Sequence, residues 1–184
     1  MSYLSVYDDK NPASPVWESR EFAAIAQKLG AAGVRFEQWK AAIDLPPHAD
    51  DALIMKAYAA EIERLKREEG YKTVDVIRVM PDNPKRFELR QKFLSEHTHV
   101  EDEVRFFVDG AGVFYLHIDG QVYMTLCERG DLIGVPDGVP HWFDFGATPH
   151  VAAIRLFTNA EGWVAQYTGD DIADYFPKFE KEAA

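Results

Sequence analysis

The sequence has one cysteine and no long apolar run, and each scarcity excludes a class of protein. Its 184 residues include only Cys127, so no disulfide can form within the chain. A lone thiol is typical of proteins from a reducing compartment, and we therefore expect a cytoplasmic location. No apolar stretch approaches the roughly 20 residues that a membrane-spanning helix needs, so we expect no association with a membrane.

Positive charge is also scarce. Twenty Lys and Arg residues stand against 31 Asp and Glu residues, which gives a formal net charge of -11. An acidic surface repels phosphate backbones, and no basic stripe runs along the chain, so nucleic acid is not an expected partner. The same acidic surface, with no obvious apolar patch, predicts a monomer.

Core-forming residues, in contrast, are abundant. Hydrophobic residues make up 47% of the chain and aromatic residues 13%. A chain of this length can bury roughly 70% of the surface that it exposes when unfolded, which suits one domain. We expect a single domain over residues 1–184, with a mostly helical layer over 1–70, a β-barrel core over 71–158, and a C-terminal loop with a short helix over 159–184.

Residue spacing separates the helical part from the strands. Apolar residues recur at helical intervals over 22–30 and over 50–69, which predicts one helix in each range. From Tyr71 onward the chain consists of short segments rich in β-branched and aromatic residues, separated by turn signals. Asp119-Gly120 predicts a tight hairpin, and Asp109-Gly110 predicts a turn between two strands. Closely spaced strands of this kind indicate an antiparallel sandwich or barrel.

The most informative segment is E-H-T-H-V-E-D-E-V-R-F-F-V. It places two imidazoles two residues apart and a carboxylate four residues after the second, and another imidazole follows in P-D-G-V-P-H-W-F-D. A single His on a strand is usually structural, and an H-x-H pair alone is a modest signal. The whole pattern is far harder to reach by chance. Such a mixed N/O set suits a divalent transition metal in roughly octahedral coordination, with positions left open for chemistry. The predicted metal ligands are His97, His99, Glu103 and His141.

Alternation along a strand extends this site. If one strand carries His97 and His99, Phe93 shares their face, and a strand that resumes at Glu103 carries Arg105 on the same face. Buried polar groups so arranged need a cation among them. By the same rule Phe143 shares the face of the last histidine ligand. Phe93 and Phe143 are therefore candidates for an apolar wall around a substrate, although both could be plain core.

Two further residues have alternative interpretations. Arg155 is the only polar residue in V-A-A-I-R-L-F, and a buried Arg needs an anion, which is either a structural carboxylate or the substrate. Cys127 has no partner base and reads as a small apolar residue rather than a nucleophile.

These residues resemble the two motifs of the cupin superfamily. The first is His97-x-His99-x-x-x-Glu103 followed by Gly110, and the second is a later Gly-Pro-Gly-His pattern that ends at His141. The glycine and asparagine often found in these motifs are Gln91 and Phe145 here, and neither position is a metal ligand. Stretches 33–39, 92–112, 139–144 and 154–169 resemble, more narrowly, the bacterial acireductone dioxygenases of methionine salvage.

The resemblance implies a cupin β-barrel, also called a double-stranded β-helix or jelly roll, with an N-terminal helical layer. It implies one Fe(II) or Ni(II) per monomer and, as substrate, the ene-diol 1,2-dihydroxy-3-keto-5-methylthiopentene together with O2. With iron the products are a 2-keto acid and formate. With nickel they are methylthiopropionate, formate and carbon monoxide.

Charge arithmetic agrees with this chemistry. Three neutral imidazoles and one carboxylate leave a divalent ion at net +1, and a dianionic substrate would bring the assembly near -1. Arg105 is the predicted catalytic residue because a buried guanidinium stays charged and would offset that excess. A flavonol-type dioxygenase, an isomerase, or a non-catalytic cupin that senses a small anion would fit the same ligand set. The sequence identifies neither the metal nor the general base.

Overall fold

Strands and helices divide the chain much as the spacing predicts. The computed structural model describes residues 1–46, 49–159 and 164–180. The helices are α1 (Phe22–Ala31), α2 (Asp51–Ala57), α3 (Ala59–Glu69) and α4 (Arg86–Leu94), with a 3-10 helix at Ile172–Asp174. The strands are β1 (Tyr3–Asp8), β2 (Trp17–Ser19), β3 (Arg35–Gln38), β4 (Thr73–Val79), β5 (His97–Thr98), β6 (Glu103–Ile118), β7 (Gln121–Glu128), β8 (Asp131–Val135), β9 (His141–Asp144), β10 (Val151–Phe157) and β11 (Gln166–Tyr167).

Two antiparallel sheets share the long strand β6. Its first half pairs with β8 and β10, and these continue to β3 and β4 respectively. Its second half pairs with β7 and β9, which continue to β1 and β2 on one side and to β5 and β11 on the other. One strand therefore passes from one sheet into the other, and the residues that precede and follow the crossing face a common interior. The predicted antiparallel sandwich or barrel is confirmed.

The crossing in β6 corrects one prediction. Asp109-Gly110 does not separate two strands; it bends a single strand of 16 residues. Gly110 has a φ of 75°, and the pairing with β10 shifts its register between Ala152 and Ala153. An extra residue at a bulge lets a strand turn between sheets without losing its neighbours. The turn-forming residues therefore indicate the correct position in the chain, but the feature there is a bend within one strand and not a turn between two strands.

Gly110→Ala should lower the free energy of unfolding by about 3 kcal/mol or more. A Cβ at this position would lie 1.7 Å from the backbone oxygen of His150, and a positive φ adds strain for any L side chain. Gly33→Ala is the matched control, because Gly33 has a φ of 79° but nothing within 4 Å of the added atom. Its loss should be about 1 kcal/mol. Urea unfolding of both variants measures the two losses, and equal losses would contradict the steric argument.

Three apolar clusters hold the fold together. The first fills the interior between the two sheets and includes Phe107, Phe114 and Phe143. The second lies between α2, α3 and the outer face of the sheet that contains β10. The third lies under the C-terminal segment, where Trp142 stacks on Tyr115 with an interplanar angle of 7°. Strands β6 and β9 are therefore packed on both faces.

The structure differs from the helical predictions in three places. The predicted helix over 50–69 is interrupted at Tyr58, where α2 ends and α3 begins. Residues 1–70 are not only a helical layer, because β1 belongs to one sheet and β3 to the other. Residues 86–94, which hold Phe93, form α4 rather than a strand. Within the described ranges, no helix is both long enough and apolar enough to cross a membrane.

The hairpin prediction is confirmed. Asp119 and Gly120 join β6 to β7, and both have positive φ angles, of 50° and 73°. Two positive φ values in a two-residue loop match the right-handed twist of the flanking strands.

Candidate metal centre

The four predicted ligands lie on or directly next to three adjacent strands, with His99 immediately after β5. His97 on β5 lies directly opposite His141 on β9. Glu103 is the first residue of β6, and a later part of β6 pairs with β9. All four side chains are buried, and one ligand atom from each lies within 4.8 Å of the others. Residues 44 positions apart in the chain therefore converge on one point. The converging set is His97, His99, Glu103 and His141.

Each imidazole is oriented by a backbone carbonyl. The Nδ1 atoms of His97 and His141 lie 2.7 Å from the oxygens of Ser95 and Val139, respectively. The Nδ1 atom of His99 lies 3.1 Å from the backbone oxygen of residue 164. A carbonyl only accepts, so each Nδ1 carries the proton and each Nε2 of the neutral ring presents a lone pair. The three Nε2 atoms are therefore electron-pair donors, and they point toward the interior of the site.

This arrangement requires a cation. The Nε2 atoms of His99 and His141 lie 2.9 Å and 3.3 Å from the same oxygen, Oε2 of Glu103. Lone pairs of neutral rings and of a carboxylate repel one another in a buried site unless positive charge lies among them. A divalent transition metal removes that repulsion, and three imidazoles with one carboxylate are ligands that such an ion prefers. The residues present therefore fit a metal.

Burial and charge set the protonation of these groups. Burial, followed by the neighbouring His141, lowers the pKa of His97 to about 4. Burial alone would raise the pKa of Glu103, but Arg105 and the adjacent histidines hold it well below its ordinary value. For His99, burial is outweighed by Glu103, which raises the pKa of the ring. A proton on that ring would occupy the place of a metal, so metal binding must displace it.

Arg105 lies beside the carboxylate ligand, as the alternation predicts. Its Nη2 donates to Oε1 of Glu103 at 2.8 Å, while the other carboxylate oxygen faces the histidines. The guanidinium is 4.5 Å from the ring centre of Phe143 and 5.2 Å from that of Phe114. An arginine held between aromatic faces and a carboxylate is rigid and desolvated, so its charge acts strongly on anything bound nearby.

A cavity of about 160 Å³ opens beside the ligands. The predicted wall residues both line it, but they do so from different elements. Phe143 reaches it from β9, whereas Phe93 reaches it from the last turn of α4, so the predicted strand face of Phe93 is wrong. The helix arises because R-F-E-L-R-Q-K-F-L consists largely of strong helix formers. The lining comprises Lys92, Phe93, His97, His99, Glu103, Arg105, His141, Phe143, Arg155, Ala165 and Tyr167.

Arg155 has the structural carboxylate that its position allows, and its contact with substrate stays a prediction. Its guanidinium donates two hydrogen bonds to Asp75 on β4, at 2.9 Å and 2.5 Å, so a structural carboxylate balances its charge. It also lines the cavity, and it lies opposite Arg105 in the β6–β10 register. Cys127 is fully buried, and burial raises the pKa of its thiol, which agrees with an apolar role.

Sequence reasoning missed several residues around the site. Lys92, Ala165 and Tyr167 line the cavity, and the last two lie in a stretch that was noticed only for its resemblance. Arg90 and Asp144 form a bidentate ion pair that ties α4 to β9 directly behind the ligands. Alternation along β9 places Asp144 on the face opposite His141, and a carboxylate on that face needs a positively charged partner.

Known proteins are similar to this chain over most of its length. The family model described as the ARD/ARD' family matches residues 3–165. The acireductone dioxygenase of Parvibaculum lavamentivorans is 58% identical over 182 residues, which cover 99% of each chain. That of Serratia proteamaculans is 53% identical over 180 residues, covering 98% of this chain and all of that one.

A solved structure agrees with the fold. The acireductone dioxygenase from Bacillus anthracis, which holds a cadmium ion in its active centre, superposes with a TM-score of 0.81 at 33% identity. The match covers 91% of this chain and 98% of that chain, so the expected cupin fold is confirmed. The family model matches most of the chain, and the two relatives are more than 50% identical over nearly its whole length. Both findings point to one family. The chain belongs to the ARD/ARD' family.

Proposed function

We propose that this protein is a metal-dependent dioxygenase that cleaves acireductone with O2. One observation carries the proposal: three imidazole lone pairs and a carboxylate converge on a buried point that only a cation can occupy without repulsion. The relatives that match nearly the full length of the chain are acireductone dioxygenases. The substrate that we assign is 1,2-dihydroxy-3-keto-5-methylthiopentene, the ene-diol intermediate of methionine salvage.

Four residues would hold one Fe(II) or Ni(II) ion per monomer. Bound there, such an ion would supply Lewis-acid activation of the ene-diolate. The ligand residues are His97, His99, Glu103 and His141.

Arg105 contributes charge where the substrate carries it. The ene-diol binds as an anion, and the chain has a net charge of -11, so the site must supply positive potential locally. One Nη of Arg105 is committed to Glu103. The guanidinium nevertheless lines the cavity, where its charge stabilises electron density that develops on substrate oxygens.

Aromatic side chains exclude water from the same cavity. Phe93 and Phe143 lie edge to face, with ring centres 6.5 Å apart, and both border the space beside the ligands. We assign to this pair the apolar wall around the methylthio tail of the substrate. Arg155 remains a candidate substrate contact, although Asp75 already balances its charge.

The identity of the metal should decide the products. Protein reconstituted with iron should release 4-methylthio-2-oxobutanoate and formate, and protein reconstituted with nickel should release 3-methylthiopropionate, formate and carbon monoxide. Loss of ene-diol absorbance under air gives the rate, and gas analysis gives the carbon monoxide. Metal-stripped protein is the control. Equal consumption of the ene-diol with and without metal would contradict the proposal.

Two rival functions would behave differently in that assay. A flavonol-type dioxygenase or an isomerase would leave the ene-diol intact, and a non-catalytic anion sensor would bind it without oxygen uptake. The family membership of the chain favours neither rival. A monomeric state and a cytoplasmic location remain predictions from the sequence.

A further inference from the structure

A short strap of chain, Val164–Thr168, lies against β5, which carries the proposed ligand His97 and is followed directly by His99. Its β11 pairs with β5 through two residues, Gln166 opposite Thr98 and Tyr167 opposite His97. Both β11 residues are exposed, so little buried surface holds the strap in place. Specific polar contacts must therefore fix its position.

The three histidines depend on the strap unequally. His97 and His141 donate their Nδ1 protons to carbonyls that lie two residues earlier in their own segments. His99 donates to the carbonyl of Val164, which is 65 residues away in sequence. Any displacement of the strap therefore moves the acceptor of one imidazole and leaves the acceptors of the other two in place.

One buried carboxylate, which the proposed mechanism does not use, anchors the strap. Glu96 is 3% exposed, and its Oε1 accepts a hydrogen bond from the Thr168 hydroxyl at 2.7 Å. Its other carboxylate oxygen lies 2.9 Å from Nδ1 of His117 on β6. Its backbone oxygen accepts from the Thr168 backbone N–H at 3.2 Å. Glu96 thus joins the ligand strand, the barrel and the strap.

We propose that the Thr168–Glu96 contact is a latch that sets metal affinity by positioning His99. The latch holds the strap, and the strap holds the Val164 carbonyl. By accepting from Nδ1, that carbonyl turns Nε2 of His99 toward the metal position. Thr168 and Glu96 are positioning residues, since neither touches the ligand atoms. This inference rests on the proposed role of His99 as a ligand.

Thr168→Val removes the hydroxyl and preserves the shape of the side chain. Nickel-loaded protein challenged with a competing chelator should show a roughly tenfold weaker affinity, because losing an outer partner of a ligating histidine typically costs 10–100-fold. Thr168→Ser keeps the hydroxyl and should retain the affinity of the parent protein. Thr73→Val is the matched control, since the Thr73 hydroxyl bonds the backbone of Asn159 away from the latch. Metal-free Thr168→Val should still unfold cooperatively, with a lowered free energy of unfolding because a buried oxygen of Glu96 loses its donor.

Three results would overturn the latch. These are an unchanged nickel affinity in Thr168→Val, an equal loss in Thr168→Ser, or an equal loss in Thr73→Val. Each result leaves the proposed function standing, because the measurement uses nickel alone and no substrate. Failure of the proposed function would appear separately, as tight nickel binding without consumption of the ene-diol.

Discussion

His97→Ala should lose metal and activity together. The side chain supplies one of four converging donors from a buried position, and its Nδ1 is already committed to a carbonyl. Removing an outer partner of a ligand costs roughly 10–100-fold in metal affinity, so removing a ligand itself should cost more than about 100-fold. Turnover of the ene-diol should fall at least as far, since every proposed role of the other residues depends on substrate held at this point.

Elemental analysis and the ene-diol assay, run on the same preparation, measure both losses. His150→Ala is the matched control, because His150 is exposed and pairs with Asp109 far from the ligands. It should keep the metal content and rate of the parent protein. A His97→Ala protein that turns over at the parent rate would show that the ligand assignment is wrong.

The ligand set could be predicted from sequence because it depends on two simple regularities. Side chains alternate along a strand, so spacing alone placed His97 and His99 together and Arg105 beside Glu103. Buried polar groups need a partner, which supplied the cation. Neither regularity depends on how distant segments pack, whereas the approach of His141 to the other three ligands does, through the β5–β9 pairing. The structure accordingly brings these residues together as the spacing predicts.

Features that depend on long-range packing could not be predicted in the same way. Phe93 borders the cavity, but α4 rather than a strand delivers it, because a helix and a strand can present the same side chain to one space. Asp75 and Arg155 are 80 residues apart, and only the β4–β10 pairing brings them into contact. Nothing local in either segment indicates that pairing. Similarly, no residue near His99 in sequence identifies the carbonyl that orients its ring.

Arg105→Met should keep the metal but reduce turnover by a factor on the order of 100, comparable to the loss of one oxyanion donor. Methionine preserves length and apolar contact with Phe114 and Phe143, so packing changes little. Glu103 loses its partner at Oε1, but a bound metal still balances its charge. The loss should appear mainly in kcat, because the guanidinium acts most strongly where charge develops on the substrate.

Two further variants test whether the effect depends on the charge of Arg105, on its planar shape, or on its position in the cavity. Arg105→Lys keeps the charge but loses the planar fork, so it should recover part of the rate. Arg155→Met removes an arginine from the same cavity, but Asp75 already neutralises it, so the loss should stay below about tenfold. Metal analysis and steady-state kinetics on the three proteins measure these differences. If Arg105→Met is purified without metal, the arginine serves to hold Glu103 in place, and its proposed catalytic role is wrong.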